Sequence, residues 1–133
     1  MTILSTIIMF NQKLHIYQLI PILGLIPYAV LSILTLSIIP LIVFINGIWY
    51  WTTQSSYSYY SDITYNTLAI LYVNYLTTFQ PKTLYLTMIA TSIWILNSYS
   101  KNTITSSIIH VYGVQFPFIY CLLQYFYESN LLI

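Results

Sequence analysis

Apolar side chains run almost unbroken from Ile16 to Trp51, and no Lys, Arg, Asp or Glu interrupts them. Wound as one helix at ~1.5 Å per residue the run would reach ~50 Å, against a hydrocarbon core of ~30 Å. It must therefore be divided. Pro21 and Pro27 stand near its start, and each removes a helix hydrogen bond and crowds the preceding turn. The pattern predicts an interfacial or partly inserted helix within residues 1–22. A first span then covers 24–48, kinked at Pro40.

Residues 49–62 (WYWTTQSSYSYYSD) change character. Trp49, Tyr50 and Trp51 suit the headgroup level, where an amphipathic ring meets both phases. The Ser/Thr/Tyr stretch that follows reads as the longest polar loop. Asp62 reads as the N-cap of the next helix, its carboxylate at the positive dipole end. A second span is expected over 63–79, a turn at Gln80-Pro81-Lys82, a third span over 83–99, and a turn over 100–103. The last span, 104–127, should kink near Gly113 and Pro117. Spans of about 17 residues only just cross a bilayer, so 63–99 can also be drawn as a re-entrant hairpin with its tip at Pro81. The fold class is thus an all-α integral membrane protein with about four transmembrane helices, organised as a single membrane domain over 1–133.

Composition strengthens this reading. The chain has 133 residues, 59% hydrophobic and 4% charged. A soluble domain is ~25% charged. Lys13, Asp62, Lys82, Lys101 and Glu128 are the whole complement, and they cannot cover a soluble surface. A net charge of +1 gives no electrostatic case for nucleic acid. No Arg is present, which removes the usual phosphate and carboxylate clamp and a voltage-sensor reading. Cys121 is the single cysteine, so it cannot form a disulfide within the chain and reads as a small apolar residue. With four spans, Lys13 and Lys82 share one side and Lys101 lies on the other. This bias favours the cytoplasmic or matrix side for the N-terminus, the 80–82 turn and the C-terminus. The N-terminus shows neither a signal-peptide pattern nor an Arg-rich presequence, so the chain is expected to insert through its own spans.

Each later span carries a polar or small stripe. It is Asn66, Asn74, Thr77 and Thr78 on the second, and Thr83, Thr87, Ala90, Thr91 and Ser98 on the third. On the last it is Ser106, His110, Gly113, Pro117, Cys121 and Gln124. Steps of three and four put such residues on one side of a helix. Helices in lipid associate through small residues and interhelical hydrogen bonds. Asn66, Asn74, Thr83, Thr87, Thr91, Gly113 and Gln124 are therefore expected at helix–helix contacts. A polar path for a proton, ion or quinone headgroup is the sharper alternative, with His110 its one ionisable candidate. The chain has fifteen tyrosines. Tyr57, Tyr59, Tyr60 and Tyr65 fit an interface belt. Tyr72, Tyr75, Tyr85, Tyr112 and Tyr120 fall deeper, where a phenol wants a hydrogen-bond partner. Those partners point to neighbouring membrane subunits, with bound lipids filling the remainder.

His110 is the residue with most chemistry. A histidine in a membrane helix can ligate haem iron or a metal, or move a proton. A hydrogen bond to a neighbouring helix is the simpler role. His15, beside Lys13, reads as an interfacial polar contact. The segment HVYGVQFPFIY (110–120) resembles the haem-ligating helices of succinate dehydrogenase anchor subunits, where a His precedes a Gly. That likeness implies haem at His110, although the Arg/Ser and Asp-Tyr features of the quinone site are absent. An apolar span, an Asp opening a span and a His on the last span resemble the order of elements in ceramidase-like intramembrane hydrolases. These hold zinc with Ser, Asp and several His. Here Trp49, Trp51, Phe116 and Phe118 stand where further histidines would be needed, which leaves at most a degenerate relative and no metal site. In composition the chain resembles organelle-encoded subunits of respiratory or ATP synthase complexes. The expected function is a non-catalytic subunit of a larger complex, in the mitochondrial inner membrane. A haem- or quinone-associated anchor and an oligomeric transporter or channel are the alternatives.

Overall fold

The structure, a computed structural model, describes residues 13–100 and 102–130. Most of the helix expected over 1–22 and all of Lys101 lie outside the described residues. Among these the chain is all-helical. Helices α1 (Ile16–Gly24) and α2 (Ile26–Thr35) join through Leu25 into one long rod. Then come α3 (Ile38–Thr53), α4 (Ser56–Leu76), α5 (Pro81–Asn97) and a 3₁₀ turn (Ser98–Ser100). The last rod is α6 (Ile104–His110), a π turn (Val111–Gln115) and α7 (Phe116–Glu128). The α1–α2 and α6–α7 rods are long and apolar enough to cross a membrane, and α3 is a shorter apolar helix.

The first span does not run over 24–48. Leu36 adopts φ 52°, a left-handed conformation, and reverses the chain between α2 and α3. The backbone groups of this reversal are held locally. Ser32 Oγ donates to the Ser37 carbonyl at 2.8 Å, and Thr35 Oγ1 accepts from the Ser37 amide at 3.3 Å. Pro40 consequently falls in the first turn of α3, where an N–H would have no helical partner, so it opens that helix instead of kinking a span. Residues 49–62 are not a loop either. Trp49–Thr53 continue α3, only Gln54 and Ser55 turn, and α4 starts at Ser56. Ser55, not Asp62, is the N-cap, its side chain accepting from the Ser58 amide at 3.1 Å.

Pro21 does not end the first helix, because the backbone groups it frees are taken up by the last rod. Pro21 has no N–H for the Tyr17 carbonyl; Ser107 Oγ donates to that carbonyl. One turn on, the Leu25 amide bonds the Ile22 carbonyl at 3.1 Å, so the Pro21 carbonyl loses its helical partner. Gln115 Nε2 fills it at 3.1 Å. Tyr28 Oη donates to the Gln115 carbonyl at 2.6 Å. Apolar packing completes the join, with Tyr28, Leu31, Val73, Phe118 and Leu122 at the core.

The rods alternate in direction. Gln18 Nε2 donates to the Trp51 carbonyl at 2.8 Å, and Gln54 Nε2 reaches Asn102 Oδ1 at 3.5 Å. The start of α1, the α3–α4 turn and the α5–α6 turn therefore share one end. Lys82 Nζ donates to Tyr120 Oη at 2.8 Å at the other end. Lys13 and Lys82 thus lie at opposite ends, against the arrangement drawn from four spans. The extra reversal at Leu36 is the cause. Tyr120 stands at the level of Lys82, at the start of α5, and not deep in the span.

The Pro21–Ser107 relation makes a prediction. Ser107→Ala should destabilise the fold by ~1 kcal/mol, the size of an interhelical hydrogen bond in a membrane bundle. In a Pro21→Ala background, where the new residue supplies the missing N–H, the same substitution should cost much less. Thermal unfolding in detergent of the four proteins measures the coupling. Additive effects would show that the carbonyl is paired in some other way.

Candidate functional site

Stripes at four-residue steps from separate helices meet at the middle of the bundle. Gly47 and Trp51 come from α3, Asp62, Asn66 and Ile70 from α4, and Thr87, Ala90, Thr91 and Trp94 from α5. The last rod adds His110, Val114, Gln115 and Phe118, and α2 adds Tyr28. They enclose a cavity of about 180 Å³. Helical periodicity makes this convergence: residues i and i+4 point the same way, so five rods can face one space.

Asp62 lies two turns into α4 and is only 7% exposed. Asn46 Nδ2 donates to its Oδ1 at 3.2 Å, and the Asn66 side chain bonds it from the next turn. Asn46 is itself oriented by Ser61 Oγ, which donates to its Oδ1 at 2.7 Å. No Lys or Arg pairs with Asp62 among the described residues. An acid buried with two amides and no cation is an expensive arrangement.

His110 closes α6 where the π turn begins. Its ring meets the Trp51 ring edge-on, with centroids 5.3 Å apart. Neither ring nitrogen makes a hydrogen bond to a described residue. The neighbouring-helix hydrogen bond that sequence suggests for it is therefore not formed with any described residue. Trp51, Trp94 and His110 also line a smaller cavity of about 40 Å³ that extends to Asn102 beneath the turns at one end. Together they partition the inner space from that end. His15 sits apart, stacked on Tyr17 at 5.2 Å at the entry to α1.

The π turn brings Gln115 into the same space. One backbone bond spans five residues there, from the Phe116 amide to the Val111 carbonyl. Such turns alter the facing of the side chains that follow, and they concentrate at functional positions. Gln115 is buried and its Oε1 has no partner. A Cβ added to Gly24 would stand 2.0 Å from that oxygen, so only glycine lets the amide lie against α1.

The stripe residues divide between packing and cavity. Asn74 Nδ2 donates to Thr87 Oγ1 at 3.0 Å, joining α4 to α5 beside buried Thr83. A Cβ on Gly113 would come 2.7 Å from Ile93 Cγ2, so the last rod lies close on α5 there. Asn66 lines the cavity, and Thr91 stands at its rim. Gln124 bonds Glu128 Oε1 at 2.9 Å within its own helix and does not cross to a neighbour. Among the described residues no group of three or more His, Cys, Asp and Glu gathers. Asp62 and His110 line one cavity but are too few ligands for a zinc site. Sequence reasoning passes over Asn46 and Gln115. The signals are an Asn inside an apolar run and a Gln between Gly113 and Pro117.

Asn46→Leu should destabilise the protein by ~1–3 kcal/mol by depriving the Asp62 carboxyl of a donor. Adding Asp62→Leu should recover much of that loss. Circular-dichroism melts in detergent decide it; a double variant no more stable than Asn46→Leu would refute the dependence.

Compared with known proteins, the chain matches no family model, no curated protein and no solved structure.

Proposed function

We propose that this chain is a multi-pass integral membrane protein, acting as a non-catalytic subunit of a larger membrane complex. The two long apolar rods would cross the bilayer, and α3, α4 and α5 would cross between them, one pass beyond the four expected from sequence. At ~1.5 Å per residue these three helices measure ~24, ~32 and ~26 Å, near the thickness of a hydrocarbon core.

The observation that carries the assembly reading is the outward-facing tyrosine. Tyr112, in the π turn well inside the last rod, is 66% exposed; Tyr75 and Tyr85, 68% and 66% exposed, flank the turn between α4 and α5. A phenol in an apolar setting needs a hydrogen-bond partner, and lipid tails provide none. Partner helices would. Elsewhere on the outer surface Ile33, Leu36 and Leu96 are exposed aliphatics suited to lipid or to a second apolar protein. The composition, rich in apolar residues and without Arg, resembles that of organelle-encoded subunits, and on that likeness alone the proposal extends to the mitochondrial inner membrane.

Mild extraction followed by a native gel tests this. The 15.5 kDa chain should migrate within a much larger species, with partners identified by mass spectrometry. Replacing Tyr75, Tyr85 and Tyr112 together by Phe should weaken that association and leave the helix content unchanged. A chain that runs alone as a monomer would overturn the reading.

A further inference from the structure

The cavity presents hydrogen-bond acceptors in excess. Three of its four lining hydroxyls are already engaged, Tyr28 Oη with the Gln115 carbonyl, Thr87 Oγ1 with the Thr83 carbonyl, and Thr91 Oγ1 with the Thr87 carbonyl; the fourth, Thr67, stands at the exposed edge. Two acceptors remain at the cavity. Asp62 is the only buried Asp or Glu among the described residues, and a carboxylate offers about four lone-pair sites. A neutral His110 ring has one acceptor nitrogen, and none of its nitrogens is bonded to a described residue. What fits such a space is a donor with positive charge.

The walls agree with that charge. Trp51 and Trp94 line the cavity, and indole rings attract organic cations. The shape adds an apolar requirement. Thr67 and Leu71 on α4 and Thr91 on α5 line the cavity and are nevertheless exposed. The space therefore opens sideways between α4 and α5, onto the outer surface of the bundle, as well as toward the His110 partition.

We propose that this cavity binds a primary amine carrying a single apolar chain. The amino group sits against Asp62, and the chain leaves between α4 and α5. An ammonium with a carboxylate and an amine with a carboxylic acid have the same net charge, so the match holds wherever the proton lies. The tail position rests on the membrane reading given above; the head position does not.

The full chain in lipid nanodiscs, titrated with decylamine and followed by tryptophan fluorescence, tests the site. A saturable change is expected, at least about tenfold weaker for 1-decanol, as the loss of one member of a buried charged pair requires. Asp62→Asn, nearly equal in shape, should weaken decylamine by a similar factor, and Thr91→Phe, which narrows the side opening, should also weaken it. Circular-dichroism melts identify a variant that has not folded, and Thr91→Phe then carries the test. Equal response to amine and alcohol, undiminished binding in Asp62→Asn, or displacement of decylamine by equimolar sodium chloride would overturn the proposal. Failure of the chain to enter nanodiscs would instead count against the membrane reading.

Discussion

Pro21 sits inside the first helical rod, and the structure has to answer for the two carbonyls left without helical partners around it. In an apolar setting an unpaired carbonyl is costly, and water is not at hand to cover it. The last rod covers both, Tyr17 through Ser107 and Pro21 through Gln115. These are contacts between residues some ninety positions apart, and they fix the two ends of the chain to each other. Much else follows from them. Ser107 and Gln115 both face α1 only because the last rod is held at one height and one rotation.

The π turn is a consequence of the same constraint. Ser107 and Gln115 are eight residues apart, a little over two turns of regular helix, and Pro117 follows closely. Widening the backbone at Val111–Gln115 lets Gln115 reach α1 and brings Pro117 to the first turn of α7, where its missing N–H costs least. The Gln115 carbonyl accepts from Tyr28, so one residue serves α1 and α2 together. Its amide oxygen is then left without a partner against Gly24 of α1. The unsatisfied atom is thus a by-product of the join.

The sequence makes the all-helical class and the last two helices legible to within a few residues, and α4 only at its C-terminal end. Continuous hydrophobicity and helical stripes are local signals, and they survive folding. The reversal at Leu36 is harder to see, because no Gly or Asn marks it; Ser32 and Thr35 satisfy the turn with ordinary side chains. Prolines mislead in the same way. Pro21 reads as a breaker, yet its carbonyls are paired by residues far along the chain, and no local pattern reports that. Asp62 reads as a cap because acids favour helix starts. The Ser55 cap moves the start by two turns and turns the same acid inward. That single shift separates a solvated end-cap from the centre of a cavity. His110 stands out in the sequence as unusual, but its neighbours Trp51 and Trp94 come from other helices, and no local pattern says that the three rings meet.

Asp62 is the position where stability and site part company. Were α4 to cross the bilayer as proposed, its acid would cost up to ~2.5–3.5 kcal/mol on insertion scales. The amides of Asn46 and Asn66 offset some of this, at roughly 1.5–3 kcal/mol for a bond to a charged acceptor. A Leu of similar bulk would relieve the burial cost, and would also release Asn46 and Ser61 from orienting it. The fold gains no interhelical bond through Asp62 that Asn at the same place could not make, since an amide oxygen also accepts from Asn46. Packing accounts for Thr87, Gly113 and the amide nitrogen of Asn74. It does not account for a carboxyl group that lines the same cavity as His110, with no cation beside it among the described residues, and that uncompensated acid is what separates this cavity from an ordinary packing defect.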